Sequence, residues 1–383
     1  MPPTDLKVRL LRHGLAEIRP EAWNALGVSG YPPLRHEFLL ALETEGCLRP
    51  EIGWTPWYLV LEASDGRLCG ALPLYLKDNS FGEFVFDGAW ADAHERAGIA
   101  YFPKLVVASP FTPATGPRLL TASGDDATEV ARRLIDAARA LAERQGIASL
   151  HWLFATDAAL AASPGLHRRV GCQFHWHNRG YETFDDFLAQ LTSKRRKEIL
   201  RERRQVHEAG VVMSQTSGTT VTLKEWEAFH ALYCHTFAKF GNYPALTLGF
   251  FTRVAATLGD SVRLVLARRH GEIIAAAYFL VGEDCLYGRY WGSREEIPGL
   301  HFEACYYQGI DYCIQRGLQR FEPGAQGEHK ISRGFLPTRT WSYHWLAHPE
   351  FQMPIARFLA REATLMEQYV AELNTHSPYR SPG

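Results

Sequence analysis

The chain has 383 residues, of which 46% are hydrophobic and 22% charged, with a formal net charge of −1. That length exceeds one comfortable hydrophobic core and suits two domains. The neutral balance excludes a surface devoted as a whole to nucleic acid, which needs an excess of Lys and Arg, and leaves room only for a local basic patch.

The opening residues, MPPTDLKVRL, lack the apolar stretch of a secretory signal. No run approaches the roughly 18 apolar residues of a membrane span. KVRLLRH (7–13) reads as a first strand. WYLVLEAS (57–64), a turn at Asp65–Gly66 and RLCGALPLYL (67–76) read as a hairpin. YFPKLVVASPFTPATGPRLL (101–120) carries Pro103, Pro110, Pro113 and Pro117, so it cannot be helix or central strand throughout. It reads as a long loop in which Tyr101, Lys104, Thr112 and Arg118 line an acceptor cleft; the competing reading is a packed surface loop. Val130, Leu134, Ile135, Ala138 and Leu141 recur at helical spacing over Ala127–Gln145. The helix stops at Gly146, and IASLHWLF (147–154) follows as a strand.

HWHNRGYETF (175–184) alternates as a strand, with His175 and His177 on one face. No further ligand is spaced to complete a metal site, so these read as strand histidines, and no metal is expected. Trp176 and Tyr181 are placed at a pocket at the domain junction. KRRKEILRERRQVHE (194–208) is a basic helix whose Lys194, Arg195, Arg196, Lys197, Arg201, Arg203 and Arg204 face only Glu198, Glu202 and Glu208. It is either a solvated face with pairs at three and four residues, or a phosphate contact for a donor pyrophosphate, a lipid-linked precursor or tRNA. Arg195, Arg196 and Lys197 are its candidates for holding the co-substrate.

VVMSQT (211–216) starts the second half as a strand. RLVLARRH (263–270), a turn at Gly271–Glu272 and IIAAAYFLV (273–281) form a second hairpin, and CLYGRYWG (285–292) a third strand. A helix spans about Phe302–Arg316, stops at Gly317, and gives way to LQRFEP (318–323). AERQGIASLHW (142–152) and CIQRGLQRFEP (313–323) share the order helix, glycine stop, strand. The two halves therefore read as a duplication, with domains at 1–180 and 181–383. Tight hairpins demand antiparallel neighbours, so the fold class is α/β of the α+β kind: mixed, largely antiparallel sheets flanked by helices, not a doubly wound parallel sheet. The seven cysteines are scattered and never form C-x-x-C, which points to reduced, cytoplasmic thiols.

FEPGAQGEHKISRGFLPTRTWSYHW (321–345) threads Glu322, Glu328, His329, Lys330, Arg333 and Arg339 through Gly324, Gly327 and Gly334. Lys330 and Arg333 suit an anion or oxyanion, and His329 and Glu328 suit proton transfer. The bland alternative is a solvated loop or an ion pair of Glu322 that pins the fold. In HFEACYYQ (301–308), His301, Glu303 and Tyr306 sit at a helix start. Glu303 is either a helix-end carboxylate or a base.

Four stretches, 101–120, 175–206, 299–318 and 321–345, together resemble the FemAB-like "peptidoglycan biosynthesis/recognition" proteins of the GNAT (acyl-CoA N-acyltransferase) superfamily. The resemblance covers nearly the whole chain. It implies tandem GNAT-like domains and an acyl- or aminoacyltransferase that takes acyl-CoA or aminoacyl-tRNA as co-substrate and a small or peptide-like amine as acceptor, with no tightly bound cofactor. Lys330-Ile-Ser-Arg333-Gly-Phe335 resembles a basic element of the Fem transferases, which makes Lys330 the first catalytic candidate and Arg333 the second. Glu303, Glu328 and His329 remain alternatives for the base. Trp291, His301, Tyr306 and Glu322 join the substrate-binding candidates. WGSREEIPGLHFE (291–303) departs from the superfamily's Gln/Arg-x-x-Gly-x-Gly/Ala turn, although Gly292, Ser293, Arg294 and Gly299 can build a turn that faces an anion. The rival expectation is a non-catalytic protein that recognises peptidoglycan or peptide fragments.

Overall fold

The computed structural model describes residues 6–124, 126–325 and 327–380; the MPPTD segment read for a leader lies outside them. The chain divides into two units, Met1–Cys172 with Arg339–Gln368 and Gln173–Thr338 with Tyr369–Gly383. Among the described residues no helix is long and apolar enough to cross a membrane.

The first unit contains β1 (Leu6–Leu10), β2 (Thr55–Pro56), β3 (Leu59–Ala63), β4 (Leu68–Leu72), β5 (Leu74–Lys77), β6 (Lys104–Val107), β7 (Leu120–Thr121) and β8 (Ser149–Trp152). One antiparallel sheet has the order β1-β3-β4-β7. A second runs β2-β5-β6-β8, with β6 and β8 parallel. Two expectations need correction here. The strand read over 67–76 is two strands in two sheets, because Pro73 has no N–H to continue a ladder. The proline-rich segment does supply a central strand, β6, between β5 and β8; its prolines flank those four residues. The helix Ala127–Arg144 buries Val130, Leu134, Ile135, Ala138 and Leu141 against Leu59, Leu72, Leu105 and Leu150. Each such fully buried Leu or Ile contributes roughly 2 kcal/mol. Gly146 ends the helix at φ 64°, as its position predicted.

The second unit takes the end of β9 (His167–His177), then β10 (Val211–Ser217), β11 (Val262–Arg269), β12 (Glu272–Val281), β13 (Cys285–Ser293) and β14 (Arg320–Glu322). The order is β10-β11-β12-β13-β14-β9; all pairs are antiparallel except β13 and β14. The hairpin turn sits one residue earlier than expected, at His270–Gly271, where both φ values are positive (52° and 83°) as a two-residue hairpin loop requires. The basic helix runs Ser193–Glu208 and the later helical stretch Leu300–Arg316, with a wider π-turn over Glu303–Tyr307. The last strand, β15 (Leu336–Leu346), pairs through Tyr343–Leu346 with β8 of the first unit's sheet.

The units repeat one plan. In each, antiparallel strands lead to a helix and then to a strand parallel to the last of them: β6 and β8 around Ala127–Arg144, β13 and β14 around 300–316. In each, an antiparallel strand then flanks the parallel pair, β15 beside β8 and β9 beside β14.

Candidate active site

The parallel pair of the second unit is short. Cys285, Leu286 and Tyr287 of β13 face Arg320, Phe321 and Glu322 of β14. β14 then ends, while β13 continues to Ser293. On the other side of β13, the register with β12 shifts between Tyr278↔Tyr290 and Phe279↔Gly288, so Arg289 is an extra, bulged residue. Past the last β13–β14 pair lies a cavity of about 300 Å³, lined by Gly288–Trp291, His301, Cys305, Tyr306, Gly324, His329 and Lys330 among others. Gly288 allows close packing at its edge: a Cβ there would stand 3.2 Å from Pro323 Cα and 3.3 Å from the Phe321 ring.

The first unit closes the corresponding place. Beyond β8, Gly116 bridges Ala155 in parallel, and the buried Arg118 donates to Leu153 O and Ala114 O, each at 2.7 Å. The same split is thus filled in one copy and open in the other.

The loop after β14 coils as a tight helical turn over Glu328–Arg333. It turns successive side chains in different directions. Lys330 is buried, lines the cavity and donates from Nζ to Gly324 O at 2.9 Å. Burial pushes its pKa from 10.5 down to about 8. His329 lines the cavity with one side open to solvent, and its Nε2 lies 2.9 Å from the Tyr306 hydroxyl. Partial burial, together with the charges of Lys330 and Arg333, lowers its pKa below the ordinary histidine value. Gly327 makes room for it: a Cβ at that residue would meet the imidazole Cε1 at 2.5 Å. His301, on the opposite wall, is lowered to about 4 by burial and then by His329, Lys330 and Arg333. Its ring lies 5.4 Å from Trp291 and 5.3 Å from Tyr306. Near pH 7 the cavity therefore combines neutral imidazoles with a lysine that is still mainly ammonium.

Other candidates face elsewhere. Arg333 is buried beneath the Phe302 ring, 3.3 Å from its centroid, and donates to Glu202 at 3.3 and 2.5 Å and to His329 O at 2.8 Å. Tyr307 donates to the same Glu202 carboxylate. Glu303 is buried and accepts from Arg203 at 3.0 and 3.2 Å and from Gln308 at 2.7 Å. Glu328 accepts from Tyr369 at 2.7 Å. Glu322 is buried, 3.3 Å from Arg320 Nε and 4.0 Å from His175 Nε2. Trp176 and Tyr181 belong to the second unit's core.

The turn at 292–299 is committed to packing. Gly292 stands so close to the helix Leu223–Lys239 that a Cβ would lie 2.3 Å from Leu232 O, and Gly299 packs on Glu202 O. The Arg294 amide donates to Ile274 O, and the Ser293 hydroxyl donates to Glu295 O at 2.7 Å. A second cavity of about 960 Å³ adjoins here, sharing Trp291 and His301 with the first and carrying Glu295 and Glu296 beside Lys239 and Arg294. On the basic helix, Arg195 pairs with Glu198 at 2.8 Å, Arg196 is half-buried and Lys197 is exposed.

Tyr101, Lys104, Thr112 and Arg118 lie inside the first unit. Lys104 Nζ donates to Glu83 at 2.8 Å, to Ser80 at 2.9 Å and to Asp87, which also accepts from Tyr101 at 2.5 Å. Thr112 donates to Pro110 O at 3.0 Å.

The structure thus brings together Lys330, His329, Tyr306, His301 and Trp291 out of the candidates named from sequence. It adds Gly288, Cys305 and Tyr290 to the walls and Glu202 beneath the loop. Glu202 carried a signal: at three residues after Ile199 and four before Val206, it falls on the inner face of its helix. Among the described residues no three His, Cys, Asp or Glu side chains are grouped to hold a metal.

Two repeats of one mixed-sheet plan give the chain a tandem GNAT-like fold. The family model for FemAB-like proteins, described as peptidoglycan biosynthesis/recognition, matches residues 14–381, and the chain belongs to that family. Among solved structures, FemX matches with a TM-score of 0.54 at 12% identity over 89% of this chain and 98% of that one. The C-terminal domain of a putative lysylphosphatidylglycerol synthetase from Agrobacterium fabrum gives 0.53 at 10% identity, covering 91% and 97%. A tandem GNAT protein from the clavulanic acid biosynthesis pathway gives 0.46 at 16% identity, covering 90% and 99%. A search of curated protein sequences finds no significant match.

Proposed function

We propose that the chain is an acyl- or aminoacyltransferase that moves an acyl group from acyl-CoA or aminoacyl-tRNA to an amine, with its chemistry in the cavity beside β13. The observation that carries this reading is the convergence of the His329 imidazole and the buried Lys330 amine on one cavity. The amine nitrogen attacks the carbonyl carbon; a C–N bond forms as the C–S or C–O bond to the donor breaks. His329 takes the proton the amine must lose and returns it to the departing thiolate or alkoxide. Lys330 stabilises the oxyanion of the tetrahedral intermediate, where a desolvated charge acts strongly. Tyr306 holds the His329 ring. No covalent enzyme intermediate is required, because orienting both substrates supplies much of the acceleration. Arg333, Glu202, Glu303 and Arg203 act as a scaffold that sets the loop.

Peptide-like amines, including cell-wall precursors, are the acceptors to test first, since the family is described by peptidoglycan. A second reading draws on the turn at 292–299. Its glycines are used in packing, which favours aminoacyl-tRNA over acyl-CoA or, failing both, a non-catalytic protein binding peptidoglycan fragments.

The test is thermal shift with acetyl-CoA, a longer acyl-CoA and aminoacyl-tRNA, followed by donor turnover with amines. A ligand at one hundred times its Kd stabilises by about 2.7 kcal/mol. If no donor raises the melting temperature at saturation and none is consumed, the transferase reading fails. Stabilisation by muropeptides alone supports the binding protein.

A further inference from the structure

The basic helix Ser193–Glu208 sorts its charges by face. Arg195 pairs with Glu198, Arg203 with Glu303, and Glu202 with Arg333. Arg196 is half-buried, and the exposed cations form a single row: Lys194, Lys197, Arg201 and Arg204, spaced three, four and three residues apart. That spacing repeats the helical turn, so the four cations stand one above another over about 15 Å. All four are exposed, and none has an ion-pair partner among the described residues. The one carboxylate that continues the row is Glu208, at its C-terminal end. Leu200, 43% exposed, lies beside Lys197 and Arg204 on the edge of the same face. In a chain of net charge −1, this is a concentrated cationic surface.

We propose that this helix face docks on an anionic phospholipid surface. The inference is independent of the transfer chemistry. A straight row of cations with an apolar side chain at its edge matches a plane of phosphate headgroups over acyl chains. It matches single-stranded RNA less well, because the helix carries no Phe, Tyr or Trp on which unpaired bases stack. Lys and Arg side chains here also keep long apolar stems that can lie along the headgroup region.

The experiment is cosedimentation of the whole chain with vesicles of pure phosphatidylcholine and of phosphatidylcholine containing roughly one third phosphatidylglycerol, at low salt and at about 0.5 M salt. Binding is expected only to the anionic vesicles and is expected to fall with salt. Each cation near such a surface strengthens binding roughly five-fold, so Lys197→Gln/Arg201→Gln should weaken it roughly 25-fold. Both positions are exposed, and an unchanged melting temperature certifies the fold of the variant. Absence of binding to anionic vesicles, equal binding to neutral ones, or full binding by the double variant overturns the proposal. Tighter binding to poly-uridine than to the vesicles at the same salt overturns it in favour of RNA.

Discussion

Replacing Lys330 by Met separates function from stability in one variant. The side chain is 2% exposed, and Met keeps its length without the charge. A fall in pKa from 10.5 to about 8 means that folding penalises the ammonium by roughly 3 kcal/mol at neutral pH. Removing the charge relieves that penalty; losing the hydrogen bond to Gly324 O takes back about 1 kcal/mol. The variant should gain on the order of 2 kcal/mol and melt a few degrees higher. The sign has a pH signature. Between about pH 8 and 10.5 the unfolded chain holds a proton that the folded chain has released, so the wild type's stability rises across that window. Lys330→Met should lack this rise, which urea titrations at a series of pH values will show. If Lys330 is the oxyanion group, the same variant loses turnover. A variant that melts lower while retaining activity refutes the argument and makes Lys330 a structural tie.

The pH profile of turnover should be bell-shaped. Activity needs His329 neutral, so it falls on the acid side below the ordinary histidine value; it needs Lys330 charged, so it falls near pH 8. Lys330→Arg should move the alkaline limb beyond pH 10, since guanidinium stays protonated, and a limb that stays near pH 8 assigns it to another group. Arg333→Ala strands the Glu202 carboxylate and should cost 3–5 kcal/mol in urea denaturation, a loss that Glu202→Gln in the same chain should partly restore. Gly327→Ala should displace the His329 ring and lower kcat with KM nearly unchanged; equal turnover would remove His329 from the chemistry.

Much of the architecture follows from periodicity and punctuation. The helix at 127–144 shows in its apolar spacing and its Gly146 stop, and the β11–β12 hairpin in a glycine turn between two apolar runs, read one residue too late at Gly271–Glu272. Where local pattern failed, backbone chemistry or burial explains it. Pro73 divides a run that looks like one strand, and β6 lies between prolines that suggested a loop. The charges of 321–345 were legible as a cluster, but their assignments were not. Lys330 and Arg333 are three residues apart in one tight turn, and one lines a cavity while the other is buried against Glu202, 131 residues earlier in sequence.

By itself, then, the sequence determined many of the elements, the repeated order of helix, glycine and strand, and the neighbourhood that carries the ionisable groups. These depend on side-chain periods and turn residues, which are local. Only the tertiary structure decided that Arg339–Gln368 returns to the first unit, that Arg118 fills the first copy's strand split while the second holds a cavity, and which of several charged side chains face that opening. Those outcomes depend on pairing across long stretches of chain and on which buried charge finds its counter-ion first, and no spacing along the chain encodes either.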